Sequence, residues 1–303
     1  MGIDKDYQPL RKEVSMNEQR IAIICDSGCD CPQEFIEQHD IRAVPLTLNY
    51  KSGSYQSGID ITTEEVIDKF AEEIPTTSLP SPKTIQDVFE KAKEDGYTSA
   101  VFVGISGNLS ATNHTAKLVS GMVDDFPILV IDTKNIGIGA ALNVIAATQM
   151  VEEGIPFDEL EDKLNDLVSR TCIYFVCETL DYLHKGGRIS DAAYKIGSTL
   201  NIKPIITCSP EGRYITTKKS RGMAKAMRYE VSMTRSRMEE YEHVVVATCC
   251  TSKLDVFDEI EKDLRKKMDN IDSIVRSDIS AALVVHTGPK LVGVAAQPDW
   301  HYL

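Results

Sequence analysis

Residues 104–115, Gly-Ile-Ser-Gly-Asn-Leu-Ser-Ala-Thr-Asn-His-Thr, follow an apolar run and precede a segment of helical pattern. Ser106, Asn108, Ser110, Thr112, Asn113, His114 and Thr115 place a side-chain donor or acceptor at most positions of the stretch. Two chemistries suit such a set. The first is nucleophilic: a G-x-S-x-G elbow exposes a serine on a strand-to-helix turn. Here Asn108 stands where the second glycine belongs, and Ser106, Asp132 and His286 follow the chain order Ser…Asp…His. The second is a cradle, in which clustered hydroxyls and the free N–H groups of a helix start hold a carboxylate or phosphate oxygen. Two serines with no single privileged nucleophile favour the cradle. A hydrolase using Ser106 or Ser110 with His286 stays open.

Other loops repeat the hydroxyl chemistry. Thr77 and Ser78 lie in a segment stiffened by Pro75, Pro80 and Pro82, and such stiffening lowers the cost of holding two hydroxyls in place. Ser81 alone suffices to cap the helix that begins near Lys83. Asp26-Ser27-Gly28-Cys29-Asp30 is a third polar loop after an apolar run, and Asp30 before Pro32 suits a helix cap. Arg188 stands on a glycine pair, Gly186-Gly187, just before a helical segment, with Lys218, Lys219 and Arg221 after a hairpin as further cations. His286-Thr287-Gly288-Pro289 closes a strand-like run.

These residues need a scaffold, and the scaffold reads as α/β. Apolar runs at 20–25, 41–50, 99–105 and 126–132 alternate with helical patterns near 32–39, 60–70, 83–94 and 109–123, then 137–152 and 156–169. That alternation predicts a mainly parallel sheet with flanking helices. PTTSLPSP is expected to be irregular because of its prolines, and Ser52–Asp60 reads as a loop. The second half predicts a mixed sheet. It has a strand at 170–178, a hairpin at 202–217 around Ser-Pro-Glu-Gly, helices at 220–240 and 252–268 with a strand between them, and two closing strands within 279–296. The expected division is an extension, 1–19, an N-terminal α/β domain, 20–168, and a C-terminal α/β domain, 169–303. No low-complexity linker separates the domains, so close packing is expected, and ligand sites favour such junctions.

Composition narrows the function. The net charge of −13 argues against nucleic acid or an anionic bilayer as the main partner. From His184 to Arg237, however, twelve Lys and Arg face three acids, a balance of +9. Such a basic island suits phosphate or an acidic partner. No apolar run approaches the length of a membrane span, and the start lacks a signal core; the expectation is a cytoplasmic protein without stable membrane insertion. The eight cysteines fit no zinc spacing and read as structural thiols, so neither metal nor cofactor is expected.

Several motifs occur together in order: CDSGCD (25–30), VPLTL (44–48), TTSLPSP (76–82), GISGNLSATNHTA (104–116), ILVIDT (128–133), TLDYLHKGGRIS (179–190), LNIKPII (200–206) and HTGP (286–289). In these the sequence resembles the DegV family, lipid-binding proteins that include the fatty-acid-binding subunit of bacterial fatty acid kinase. The resemblance implies two α/β domains clasping one long-chain fatty acid in an apolar tunnel at their junction. It implies carboxylate contacts from Thr77, Ser78, Ser106, Ser110, Thr112 and His286, with Asp26 and Ser27 in support. Arg188 and Arg221 would face a separate kinase that phosphorylates the bound acid, the chain itself doing no catalysis. A carrier of another amphiphile without a kinase is the variant reading. Two departures stand out. The family's L-S-G-T-Y is here Leu109-Ser110-Ala111-Thr112-Asn113, which implies an amide in place of an aromatic wall. The family's HTGPG ends here in Lys290, which implies an added charge near the mouth.

Overall fold

In the computed structural model residues 16–197, 202–251 and 254–303 are described. Residues 1–15 of the expected extension, Leu200 and Asn201 of LNIKPII, and residues 252–253 lie outside the described residues. The first half of the chain runs β1 (Ile21–Asp26), α1 (Gln33–Gln38), β2 (Arg42–Val44), β3 (Thr47–Tyr50), β4 (Gly53–Gln56), α2 (Thr63–Lys69), β5 (Thr76–Ser78), α3 (Pro82–Glu94), β6 (Ser99–Gly104), α4 (Thr112–Ser120), β7 (Ile128–Asp132), α5 (Gly137–Glu152) and α6 (Phe157–Arg170). The second half runs β8 (Cys172–Cys177), α7 (Asp181–Lys185), α8 (Asp191–Gly197), β9 (Ile202–Cys208), β10 (Tyr214–Arg221), α9 (Met223–Met238), β11 (Val244–Cys250), α10 (Leu254–Lys267), β12 (Ile271–Asp278), α11 (Ala281–Thr287) and β13 (Leu291–Pro298).

All residues of β1 and β6 are buried, as expected of parallel strands covered on both faces. They form the centre of a parallel sheet in the order β2-β1-β6-β7. The second sheet is mixed, in the order β10-β9-β8-β13-β11-β12, with only β11 and β12 parallel. The two sheets share one helix. α5 is apolar all round and buried along nearly its whole length, which a surface helix never is. It packs on β1 and β6 on one side and on β8, β11 and β13 on the other. The two α/β domains are thus joined through a common core rather than by a linker.

Four segments differ from the sequence reading. The run 41–50 is two strands, because Pro45 lacks the N–H a continuous ladder requires: β2 joins the parallel sheet and β3 joins a separate sheet of order β4-β3-β5. Residues 53–56, read as loop, pair with β3 as β4. Thr76–Ser78, expected to be irregular, form β5 on the other edge of β3. A strand of three residues fits between Pro75 and Pro80 without using either proline in the ladder. The fourth difference matters most for function. Residues 281–287, read as strand, are α11, and all seven are buried. A short, wholly apolar run has no periodicity to separate helix from strand, and Ser280 occupies the N-cap position with extended backbone.

Candidate functional site at the domain junction

Asp26 ends β1 and is fully buried. Its Oδ1 accepts from Gly28 N at 2.8 Å and its Oδ2 from Ile105 N at 2.9 Å. The carboxyl therefore holds the first backbone N–H of the hydroxyl loop between β6 and α4. Burial pushes its pKa up to about 6, against the pull of the two N–H groups. Ser27 Oγ accepts from Leu46 N at 2.9 Å. Asp26 and Ser27 brace the loop and the β2–β3 corner.

Within the loop the hydroxyls divide their work. Ser106 is fully buried; its Oγ donates to Gly212 O at 2.8 Å and accepts from Asn108 N at 3.2 Å. Gly212 is the tip of the β9–β10 hairpin, so Ser106 latches the two domains together and is not among the residues lining the chamber described next. Thr112 is also fully buried, and its hydroxyl pairs with that of Ser110 at 2.8 Å. Ser110 is the member of the loop that reaches open space. The hydroxyls of Ser106 and Thr112, both expected at a ligand, are thus engaged by the protein itself.

The open space is a chamber of about 300 Å³. Its polar lining is Thr77, Ser78, Ser110, Arg188, His286 and Thr287, and its apolar lining includes Leu46, Ile105, Leu109 and Leu283. Thr77 comes from β5 and His286 from the last turn of α11, and Thr77 Oγ1 meets His286 Nε2 at 2.6 Å. His286 is buried, and its Nδ1 has no hydrogen-bond partner. That nitrogen packs against Gly186, where a Cβ would collide with the ring; this is one use of the Gly186-Gly187 pair. Burial and then the nearby Arg188 guanidinium push the His286 pKa down to about 3, so the imidazole is neutral. Arg188 donates from Nη1 to Gly186 O at 2.5 Å and from Nη2 to Leu109 O at 3.4 Å. Those bonds leave guanidinium donors free at the chamber, and Arg188 is the cation that lines it.

The chamber opens at both ends. Ile136, Tyr214, Leu283 and Thr287 are shared with a slot of about 20 Å³ that continues between Ile173, Phe175, Ile279 and Leu291 into the common core. Leu109, Arg188 and Tyr214 are shared with an outer groove of about 820 Å³ that also carries Arg213 and Lys219. Arg221, at the end of β10, is exposed and lines neither space. The site is therefore a polar chamber with a cationic outer side and an apolar inner side.

Neither serine of the hydroxyl loop is hydrogen-bonded to His286, whose Nε2 is engaged by Thr77. A serine–histidine pair, the first geometric requirement of the hydrolase reading, is not formed. The two departures from the family pattern also read differently in three dimensions. Asn113 is buried and donates from Nδ2 to Ile105 O, so it supports the loop and forms no wall of the chamber. Lys290 pairs with Glu178 at 3.0 Å and adds no free charge at the mouth. None of the eight cysteines is in a disulfide among the described residues, six of them are buried, and burial raises the Cys31 pKa to about 12, far from an activated thiolate. Among the described residues no group of three or more His, Cys, Asp or Glu is placed to hold a metal, and no helix is long and apolar enough to cross a membrane.

Tyr214, Leu283 and Gly212 were not visible as site residues in the sequence. The first two look like ordinary core, and Gly212 looks like ordinary turn glycine. The docking of the hairpin tip, Gly212 on Ser106, accompanies the placement of Tyr214 at the chamber, and α11 brings Leu283 there.

The comparisons agree with this architecture. A family model described as "Uncharacterised protein, DegV family" matches residues 20–299. A DegV domain-containing protein of Clostridium acetobutylicum is 34% identical over 276 residues, 91% of this chain and 98% of the relative. Among solved structures, a DegV family protein from Thermus thermophilus described by its fatty acid binding superposes with a TM-score of 0.86 at 28% identity, covering 92% of this chain and 100% of that one. A stearic-acid-binding protein from Eubacterium ventriosum gives 0.86 at 28% identity, covering 93% and 100%. With the family model spanning nearly every described residue and a relative this similar along almost its whole length, the chain belongs to the DegV family.

Proposed function

We propose that the protein is a fatty-acid carrier that holds the carboxylate in the chamber and the acyl chain in the slot. The observation that carries this reading is the continuity of the two spaces: hydroxyls and one guanidinium at one end, mainly apolar side chains beyond Leu283. Each buried methylene contributes about 0.8 kcal/mol, so a chain of about sixteen carbons binds tightly with modest head-group contacts. The hydroxyls of Thr77 and Ser110 and the Arg188 guanidinium then keep a desolvated carboxylate paired. His286, being neutral, fixes the Thr77 hydroxyl without adding a second buried charge. The slot is narrow, so the chain enters by displacing the side chains that close it. The fatty acids bound by the Thermus and Eubacterium proteins support the assignment of ligand class.

The carboxylate end adjoins the cationic groove, where a separate kinase can reach it for acyl-phosphate formation. The chain has no G-x-x-x-x-G-K-[ST] phosphate loop of its own, which suits a presenting subunit. Because Arg188 lines the chamber, reversing its charge would disturb binding as well as docking; Arg221, outside it, is the cleaner probe of the partner. The test is intact mass under native conditions, followed by extraction and identification of anything bound. Added mass that matches a fatty acid and is lost on denaturation is the expected result. A protein whose mass and melting temperature no added fatty acid changes would overturn the reading. With a cognate kinase in hand, Arg221→Glu is expected to retain fatty acid and lose phosphorylation.

A further inference from the structure

The slot has one carboxyl in its wall, beside Thr287 and Tyr214, which it shares with the chamber. Asp30, in the left-handed backbone conformation (φ +48°) after β1, is 6% exposed and lines the slot. Its Oδ1 accepts from Ser280 N at 3.0 Å, which starts α11. Its Oδ2 is buried and has no hydrogen-bond partner. The Ser280 hydroxyl lies close enough to the carboxyl to oppose the rise in its pKa, but it meets no group in full hydrogen-bonding geometry. The direction of Oδ2 is fixed by Gly137: a Cβ there would sit 3.0 Å from Oδ2 and 3.4 Å from Leu283 Cδ1. Gly137 and Leu283 both line the slot, so Oδ2 faces the space where an acyl chain runs.

A methylene chain leaves that oxygen unpaired, and an unpaired buried polar group is costly. A hydroxyl on the chain both donates and accepts, so it satisfies Asp30 whether the carboxyl is ionised or protonated. Resting on the carrier reading above, we propose that Asp30 is a specificity residue and that the preferred cargo is a fatty acid bearing one hydroxyl along its chain. The hydroxyl meets Asp30 Oδ2 in the slot while the carboxylate occupies the chamber. Asp30 is the one carboxyl among the residues lining the slot, so it also fixes which carbon carries the hydroxyl.

The experiment is a competition. The intact protein is delipidated and exposed to stearate together with an equimolar set of its monohydroxylated positional isomers, and the bound fraction is identified by mass spectrometry after extraction. One isomer, or two adjacent ones, is expected to outcompete stearate by about tenfold, the size of one hydrogen bond to a carboxyl. Asp30→Ala is expected to erase that preference, read as the ratio of bound isomer to bound stearate within one mixture. Should that variant fail to fold, the wild-type competition decides alone. Stearate bound as well as or better than every isomer overturns the assignment and leaves the carrier reading intact; it is also the result if the Ser280 hydroxyl turns to satisfy Oδ2. Failure of stearate and all isomers to bind overturns the carrier reading itself.

Discussion

Ser106 separates a latch from a ligand contact, and its replacement by alanine tests which it is. The Ser106→Ala change removes the donor to Gly212 O and the acceptor for Asn108 N. Ser106 is fully buried, so neither backbone group gains water in exchange. Two neutral hydrogen bonds at about 1 kcal/mol each, with buried partners left unpaired, put the loss at about 2 kcal/mol. For a chain of this size that corresponds to a fall of about 3 °C in melting temperature. Gly212→Ala should act in the same direction and more strongly, since Gly212 has φ +80° and a Cβ there would collide with the Ser106 hydroxyl. The assay is thermal unfolding of both variants with and without fatty acid, beside labelling of the wild type with an active-site serine probe. A latch lowers the melting temperature of the apo protein, and the probe leaves Ser106 unlabelled. Unchanged apo stability with lost fatty-acid affinity would refute the latch and return Ser106 to the carboxylate. Labelling that disappears in Ser106→Ala would restore the hydrolase.

Two titrating groups give pH predictions of opposite sign. His286 has a folded pKa near 3 against 6.5 in its ordinary state, so its neutral form is favoured by folding. That stability is complete above about pH 6.5 and is lost as pH falls, at about 1.4 kcal/mol per unit, or about 2 kcal/mol by pH 5; His286→Gln should flatten the acid limb of a urea-stability profile by that amount, and an unchanged limb would mean the imidazole is solvated. Glu230, on the face of α9 toward β8, is fully buried with both carboxylate oxygens unpartnered, and burial drives its pKa well above 4.5. The unfolded chain releases that proton above about pH 4.5 while the folded chain keeps it, so each further pH unit up to the folded pKa costs about 1.4 kcal/mol. Glu230→Met, close in volume, should stabilise the protein by about 1–3 kcal/mol at neutral pH and remove that slope; a destabilised Glu230→Met would show that the carboxyl has a partner in solution.

The sequence carried the scaffold better than the site. Long, pure patterns read correctly: the buried runs of β1 and β6, the amphipathic α3 and α6 and the Ser-Pro-Glu-Gly hairpin all stand where residue spacing placed them. Capping chemistry was legible in part: Ser81 Oγ accepts from Thr84 N at 3.0 Å as expected, whereas Asp30, expected to cap the helix after it, accepts from Ser280 N at the start of α11, and α1 has no side-chain cap. What failed was short and dependent on distant partners. β4 and β5 exist because β3 lies between them, and nothing within either triplet or quartet of residues announces that. α11 is buried on every side, so its pattern lacks the period that marks a helix. Hydroxyls were recognisable as a group, but their division of work was not. Ser106, Ser110 and Thr112 have the same chemistry in one dimension; only the position of Gly212 turns the first into a latch.

The helix that the sequence disguised also sets which way a bound acid points. Were residues 281–287 a strand, successive side chains would alternate between faces, and Leu283 and Thr287 would share a face that His286 could not. On α11, the three lie within about one turn, and all three line the chamber. Leu283 and Thr287 continue into the slot, whereas His286 stays on the side of Thr77 and Arg188. Arg188 in turn belongs to both the chamber and the outer groove. Under the carrier proposal, an amphiphile in this site has its charged end at the guanidinium, facing the groove, and its chain directed past Leu283 toward Asp30. A head group so placed can be modified by a second protein while the chain remains buried. The reverse orientation would put a carboxylate beside Asp30 in an apolar slot with no cation lining it, and the electrostatic cost of that arrangement excludes it.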